Sequence, residues 1–176
     1  MMKKSLKTVV TLGLAAGLVA VSSVAALGAP RELASHKDWK AYISKESNGN
    51  VCFVVSAPKD QSPKGVNRGD VLFIVTDWGN SHWQPQVQIG YPFKSSSKAT
   101  VQIGSDRFDL FTDNDGGGDG GAWLRAEADE TRLVRSMKRG SSMIVKGTSK
   151  RGTLTTDRYS LSGITAALDA AAKACK

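Results

Sequence analysis

From residue 29 onward, no hydrophobic pattern lasts long before a turn signal interrupts it. Residues 39–45 (WKAYISK) and 51–57 (VCFVVSA) flank Ser47, Asn48, Gly49 and Asn50. Two such runs joined by a turn of that chemistry read as a β-hairpin. A loop rich in proline, glycine and lysine follows over residues 57–67. Residues 71–76 (VLFIVT) are continuously apolar, as expected of a strand buried on both faces or in a sandwich core. In residues 86–91 (QVQIGY), Val87, Ile89 and Tyr91 alternate with other positions, which leaves one face wet. Residues 100–103 and 107–111 flank Gly104, Ser105 and Asp106 as a second hairpin, and Trp123 and Leu124 begin a further strand. Residues 143–148 and 153–161 form a third hairpin across residues 149–152.

Helical spacing occurs twice. Residues 129–139 (DETRLVRSMKR) place Leu133, Val134 and Met137 on one face, with Asp129 as N-cap and Gly140 as stop. Ile164–Ala174 sets Ile164, Leu168 and Ala171 on one side of an alanine-rich helix. About eight short strands with turns between them predict a mainly β, antiparallel β-sandwich, with one short helix and a C-terminal helix.

The amino terminus has a different character. Lys3, Lys4 and Lys7 precede an apolar run that ends in small residues, the layout of a secretory signal peptide. Cleavage after Ala26 or Gly28 is expected, which gives a signal peptide over residues 1–28 and one domain over residues 29–176. An uncleaved anchor is the competing layout, since about 20 apolar residues suffice to span a bilayer. Cleavage removes three lysines from a formal charge of +8 and leaves +5. That balance suits acidic partners: an envelope or host protein, or an acidic surface component. The basic residues are scattered, with no aromatic-interleaved basic tract, so nucleic acid is not the expected ligand. No membrane span is expected once the leader is removed.

Cys52 and Cys175 are the only cysteines. An even count in an exported chain predicts a disulfide, here from an early strand to the C-terminal tail. His36 and His82 alone do not complete a zinc set with them, so no metal or other cofactor is expected.

The order of motifs in the second half is distinctive. GYPFK (residues 90–94), FDLFT (108–112), AW (122–123) and MKRGSSMIVKGTS (137–149) lead into RGTLTTDRYSLSGITAAL (151–168). This order resembles the invasion-associated locus B family of exported bacterial proteins, from about Trp39 to Cys175. The resemblance implies an immunoglobulin-like sandwich fold and an envelope or secreted location, periplasmic or beyond. It implies a link to host-cell invasion in pathogenic relatives, and no established enzymatic chemistry. Two segments depart from the family pattern. Residues 113–121 are longer and richer in glycine, and residues 77–85 (DWGNSHWQP) carry two tryptophans.

Several residues qualify as candidate sites. Arg132, Arg135, Lys138, Arg139, Lys146, Lys150 and Arg151 follow one another around a helix, a strand and a turn; on one face they would attract an acidic surface, and a merely solvated face is the simpler reading. Trp78 and Trp83 share a loop, either as an aromatic platform for a flat ligand or folded back as a lid on the sheet edge. Asp113, Asp115 and Asp119 offer three carboxylates to calcium. In EF-hand register, however, Gly117 and Leu124 occupy two ligand positions, so an exposed glycine-rich connection is the simpler reading. Arg68, Gly69 and Asp70 spell the integrin-type tripeptide but abut an apolar strand, where a turn entering the strand accounts for them. Alternation along residues 153–161 puts Thr153, Thr155, Asp157, Tyr159 and Leu161 on one face, a row suited either to a binding surface or to fixing strand register by cross-strand hydrogen bonds.

No catalytic motif is present: no nucleophile elbow, no H-E-x-x-H and no phosphate loop. Two readings stand. The first is a non-enzymatic envelope or secreted binding protein that makes contact through the basic segment and the tryptophan loop. The alternative is a periplasmic enzyme acting on cell-wall or glycan material, with His82 and Asp77 as its candidates.

Overall fold

The computed structural model describes residues 29–112 and 120–176. The expected leader and the calcium candidates Asp113, Asp115 and Asp119 lie outside the described residues. The strands are β1 (Arg31–His36), β2 (Trp39–Glu46), β3 (Gly49–Ser56), β4 (Asp60–Ser62), β5 (Leu72–Asp77), β6 (Trp83–Gln88), β7 (Ala99–Ile103), β8 (Asp106–Thr112), β9 (Gly121–Trp123), β10 (Ser142–Thr148) and β11 (Leu154–Ser160). The helix α1 (Glu127–Arg139) lies between β9 and β10, and α2 (Ile164–Ala174) ends the fold.

Every strand pairing is antiparallel. The hydrogen-bonded order is β1-β2-β3-β5-β6-β9-β8-β7-β10-β11-β4. β8 pairs with β9 on one side and β7 on the other, so the ladder continues through the corner. The two ends of this order face each other. Phe73 on β5 meets Tyr159 on β11 with ring centroids 5.9 Å apart, although five strands separate them in the order. Trp39 on β2 donates from Nε1 to the Ser160 carbonyl at 3.0 Å. The expected sandwich is therefore built as one long sheet bent over its own core.

The alternation of each strand supplies that core. Trp39, Ala41, Val54, Phe73, Val75 and Val87 line one layer, and Val101, Leu110, Met143, Val145 and Tyr159 line the other, all fully buried. The C-terminal helix packs on β1, β2 and β3 through Ile164, Ala167, Leu168 and Ala171. Cys52 on β3 is bonded to Cys175 just beyond α2, across a sequence separation of 123 and a Cα–Cα distance of 6.1 Å. A loop that long loses roughly 4–5 kcal/mol of unfolded-state entropy in the chain-closure account.

Residues 71–76 follow the sandwich-core alternative: Phe73 and Val75 are buried, while Leu72 and Ile74 are half-buried on the outer side. Two expectations are corrected. Asp129 is not the N-cap of α1. The cap is Ala126, whose carbonyl accepts the N–H groups of Asp129 and Glu130, so the helix opens at Glu127. Its acidic first turn complements the positive end of the helix dipole in place of a side-chain cap. β1 and β4 were not predicted. β4 sits inside the expected loop and is a strand only because the outer edge of β11 pairs with it, Ser62 opposite Thr156.

Candidate functional site

Residues from three distant stretches meet where the 66–70 segment, the 90–92 segment and the β10–β11 turn come together. Two glycines permit this approach. Gly90 has φ +77°, and a Cβ there would stand 2.6 Å from the Gly69 carbonyl oxygen. Gly69 instead donates its N–H to the Gly90 carbonyl at 2.8 Å. On β10, a Cβ at Gly147 would come within 2.8 Å of the Phe93 ring and 3.1 Å of the Tyr91 hydroxyl. The glycines of the GYPFK and VKGTS motifs thus let one segment lie over the other strand.

Beneath this crossing lies a buried ion pair. Arg68 donates from Nη1 and Nη2 to the two carboxylate oxygens of Asp157, each at 2.7 Å. Their side chains are 4% and 0% exposed. The same guanidinium donates to the Ile89 carbonyl from Nε at 3.1 Å and Nη2 at 2.8 Å. It also lies over the Tyr91 ring, 5.1 Å from the centroid. Burial works against the guanidinium's charge, but the hydrogen-bonded Asp157 more than offsets it, and the pKa of Arg68 moves up. The Tyr91 hydroxyl shares a 2.6 Å hydrogen bond with Thr155 Oγ1. Burial holds Tyr91 above the ordinary tyrosine value. Arg68 of the integrin-type tripeptide is therefore a structural cation, and the β11 row faces inward at Thr155, Asp157, Tyr159 and Leu161, with Thr153 only half-buried at its start.

Above this floor opens a cleft of about 360 Å³, bordered by Val66, Asn67, Tyr91, Pro92 and the turn residues Lys150, Arg151 and Thr153. The turn is fixed by its own bonds. Ser149 Oγ accepts from the Thr153 N–H at 3.1 Å, and the Lys150 N–H donates to the Pro92 carbonyl at 2.8 Å. Lys150 and Arg151 are exposed at its tip. Neither has a carboxylate within 4.0 Å among the described residues. Among the described residues, the floor is electrically closed and the mouth keeps two cations without a carboxylate partner.

The other predicted residues are not gathered here. Arg132 lies over the inward-facing Phe108 ring at 4.0 Å and pairs with Asp129. Arg135, Lys138 and Arg139 are exposed on α1. Lys146 projects from the outer face of β10, between Thr100 and Thr156. The basic segment is thus divided among α1, a sheet face and the turn. The tryptophans divide too. Trp83 is half-buried against the core, as a lid would be, while Trp78 is 62% exposed and donates Nε1–H to Gln84 Oε1 at 3.1 Å.

Asp77 and His82, the candidate enzyme pair, do not touch. Asp77 Oδ1 accepts the N–H groups of Gly79, Asn80 and Ser81 at 2.9, 3.2 and 3.0 Å, which shapes the loop. His82 turns to α1 instead. Its Nε2 is 2.6 Å from Glu130 Oε2 and its Nδ1 is 3.2 Å from Glu127 Oε1. A neutral imidazole has one N–H and satisfies one of these acceptors; the second contact becomes a hydrogen bond only with one more proton in the cluster. Among the described residues, no group of three His, Cys, Asp or Glu side chains is arranged to hold a metal ion, and no helix is long and apolar enough to cross a membrane.

Fold and site together define a class: an antiparallel β-sandwich, stapled at its C-terminal helix, with a cation-lipped cleft over a buried ion pair. Within that class, the chain belongs to the Invasion associated locus B (IalB) protein family, whose model matches residues 39–172. The match runs from β2 into α2 and includes the cleft. Among solved structures, the chain is similar to the crystal structure of invasion associated protein b from Bartonella henselae. That likeness has a TM-score of 0.57 at 13% identity, covering 83% of this chain and 97% of the other, and at this identity it shows the fold alone. No curated protein matches the chain by sequence.

Proposed function

We propose that this chain is an exported, non-enzymatic binding protein of the bacterial envelope or secreted fraction, and that it makes contact through the cleft between Val66 and Arg151. The observation that carries this reading is the division of labour within the cleft. The polar groups of its floor are committed to one another, Arg68 to Asp157 and Tyr91 to Thr155, while Lys150 and Arg151 at the mouth pair with no carboxylate among the described residues. Groups so committed give a rigid surface and leave no activated nucleophile or base. A preformed surface keeps the ordering cost of association low. Export is supported by the lysine-led apolar leader and by a disulfide of the kind that persists in oxidising compartments. Family membership favours a partner in the envelope or, in a pathogen, on the host.

The test is site-specific photocross-linking in intact cells from position 151 and, separately, from position 78, followed by mass spectrometry. One dominant adduct from position 151 supports the reading. A dominant adduct from position 78 alone moves the contact to the tryptophan loop. Absence of adducts from both positions, with the protein folded and exported, overturns it.

A further inference from the structure

We infer that the cleft takes an extended acidic peptide segment, with a carboxylate held between Lys150 and Arg151 and a neighbouring apolar side chain laid against Val66 and Pro92. This inference rests on the binding reading above and names its ligand class.

Charge sets the first requirement. The guanidinium in the floor is neutralised by Asp157, so among the described residues lining the cleft the uncompensated charges are the two cations of the turn. They stand together on the turn at the edge of the cleft, where a carboxylate would gain charge-assisted hydrogen bonds without burying either partner fully. Shape sets the second. Val66 is among the few large apolar side chains exposed in the described residues, at 38%, and Pro92 beside it is exposed as well. Apolar surface so close to two free cations fits a ligand carrying both characters within one or two residues.

The polar groups between these two features select the backbone. The side-chain amide of Asn67 has no partner among the described residues. An amide carries a donor and an acceptor side by side, which matches the C=O and N–H of an extended chain. A sugar is served less well. The cleft's one aromatic ring, Tyr91, has Arg68 over its face, Phe93 packed against it at 73°, and its hydroxyl tied to Thr155. Little of that ring is left for stacking. A volume of about 360 Å³ holds a short stretch of chain rather than a folded surface.

The test uses the whole mature protein and three fluorescent probes. The first is a hexapeptide in which glutamate adjoins leucine, the second its glutamine counterpart, and the third an oligogalacturonate carrying the same charge as the first. The glutamate peptide is expected to bind at least tenfold more tightly than the glutamine peptide and the oligogalacturonate. Lys150→Ala with Arg151→Ala should weaken that binding by at least tenfold. Lys45→Ala with Lys173→Ala removes the same charge elsewhere on the surface and should change it less than twofold.

Preferred binding of oligogalacturonate overturns the peptide assignment and leaves the binding function standing. Equal losses from the two double variants show a non-specific field and overturn the cleft as the site. If no probe binds while cross-linking from position 151 still captures a partner, the ligand class is wrong and the function survives. If cross-linking also fails, both fall together.

Discussion

Two of the places where the molecule withdraws ionisable side chains from water are treated differently. Under the cleft, Arg68 and Asp157 satisfy each other with two matched hydrogen bonds, and the Ile89 carbonyl takes the guanidinium's remaining reach. At the other place, His82 sits between Glu127 and Glu130 with two acceptors facing a ring that carries one proton when neutral. The first arrangement is complete and can only be broken. The second sets two acceptors against one ring and is not closed by matched bonds. A closed pair makes a rigid support, whereas an open cluster ties the 78–82 loop to α1 with a strength that depends on what the cluster carries.

The sharpest way to break this contrast is to remove one member of the closed pair. Asp157→Ala leaves a buried guanidinium without its counter-charge, and Arg68→Ala leaves a buried carboxylate; each is expected to cost about 3–5 kcal/mol. Urea denaturation of each variant measures it. A joint replacement by apolar residues of similar volume should recover much of the loss, because the penalty lies in the orphaned charge. If either single variant loses less than about 1 kcal/mol, the pair is not the support described here.

That pair also shows how much of the molecule was legible beforehand. The hairpins β2–β3, β7–β8 and β10–β11 and the span of α2 were readable because each rests on local spacing and turn residues. The inward row of β11 was readable for the same reason. Arg68 and Asp157 had both been singled out, one in a tripeptide and one in that row, but they stand 89 residues apart. His82 and Glu130 are 48 residues apart. No periodicity in a chain encodes which distant charges will meet. β1 and β4 were missed because their pairing depends on a neighbour's edge and not on a pattern of their own. The basic segment was read as a unit because its residues adjoin in sequence, and the bend from α1 into β10 turns them to different faces.

The crossing that roofs the closed pair comes next in size. Gly90→Ala forces a side chain into a left-handed backbone position and against the Gly69 carbonyl. Gly147→Ala drives a methyl toward the Phe93 ring and the Ile89 side chain. Each should cost about 1–3 kcal/mol, as overpacking does. Loss of ligand binding should accompany the Gly90 change, since the 90–92 segment forms a wall of the cleft.

On the open side, His82→Ala should cost about 1–2 kcal/mol, mainly by leaving the 5%-exposed Glu130 without its partner. Hydrogen exchange should then rise in the 78–82 loop and the first turn of α1, with the cleft unchanged. Faster exchange at the cleft instead would mean that the two regions are coupled, and the contrast drawn above would fail.

The closed region has one loose end, which gives a test at high pH. Tyr159 is fully buried, and its hydroxyl has no hydrogen-bond partner among the described residues. Burial raises Tyr159 and Tyr91 above the ordinary tyrosine value of 10.0. A raised tyrosine holds its proton more tightly in the folded state. Its contribution is therefore complete below pH 10 and is lost as the pH climbs beyond it. Stability should fall above about pH 10, and Tyr159→Phe should shrink that fall. At pH 7 the same variant should be neutral to slightly stabilising, because it loses no hydrogen bond and relieves the desolvation cost of a partnerless hydroxyl. A cost above about 1 kcal/mol at pH 7 would show that the hydroxyl is bonded after all, to a buried water for instance.

The smallest effect on stability belongs to the residues proposed to matter most for binding. Lys150 and Arg151 are exposed, pair with no carboxylate among the described residues, and project from a turn fixed by Ser149, Gly152 and Thr153. Replacing both with alanine should move the unfolding free energy by no more than about 0.5 kcal/mol, in line with other surface changes. If the two cations repel each other across the turn, the change will be a slight gain. Denaturation and ligand binding measured on the same sample separate the cases. Unchanged stability with lost affinity places the two cations in the contact itself, over a floor that does not depend on them. A loss of stability as large as that of the Arg68 variant would mean that mouth and floor are one structural unit, and the rigid support with free charges at its rim would have to be abandoned.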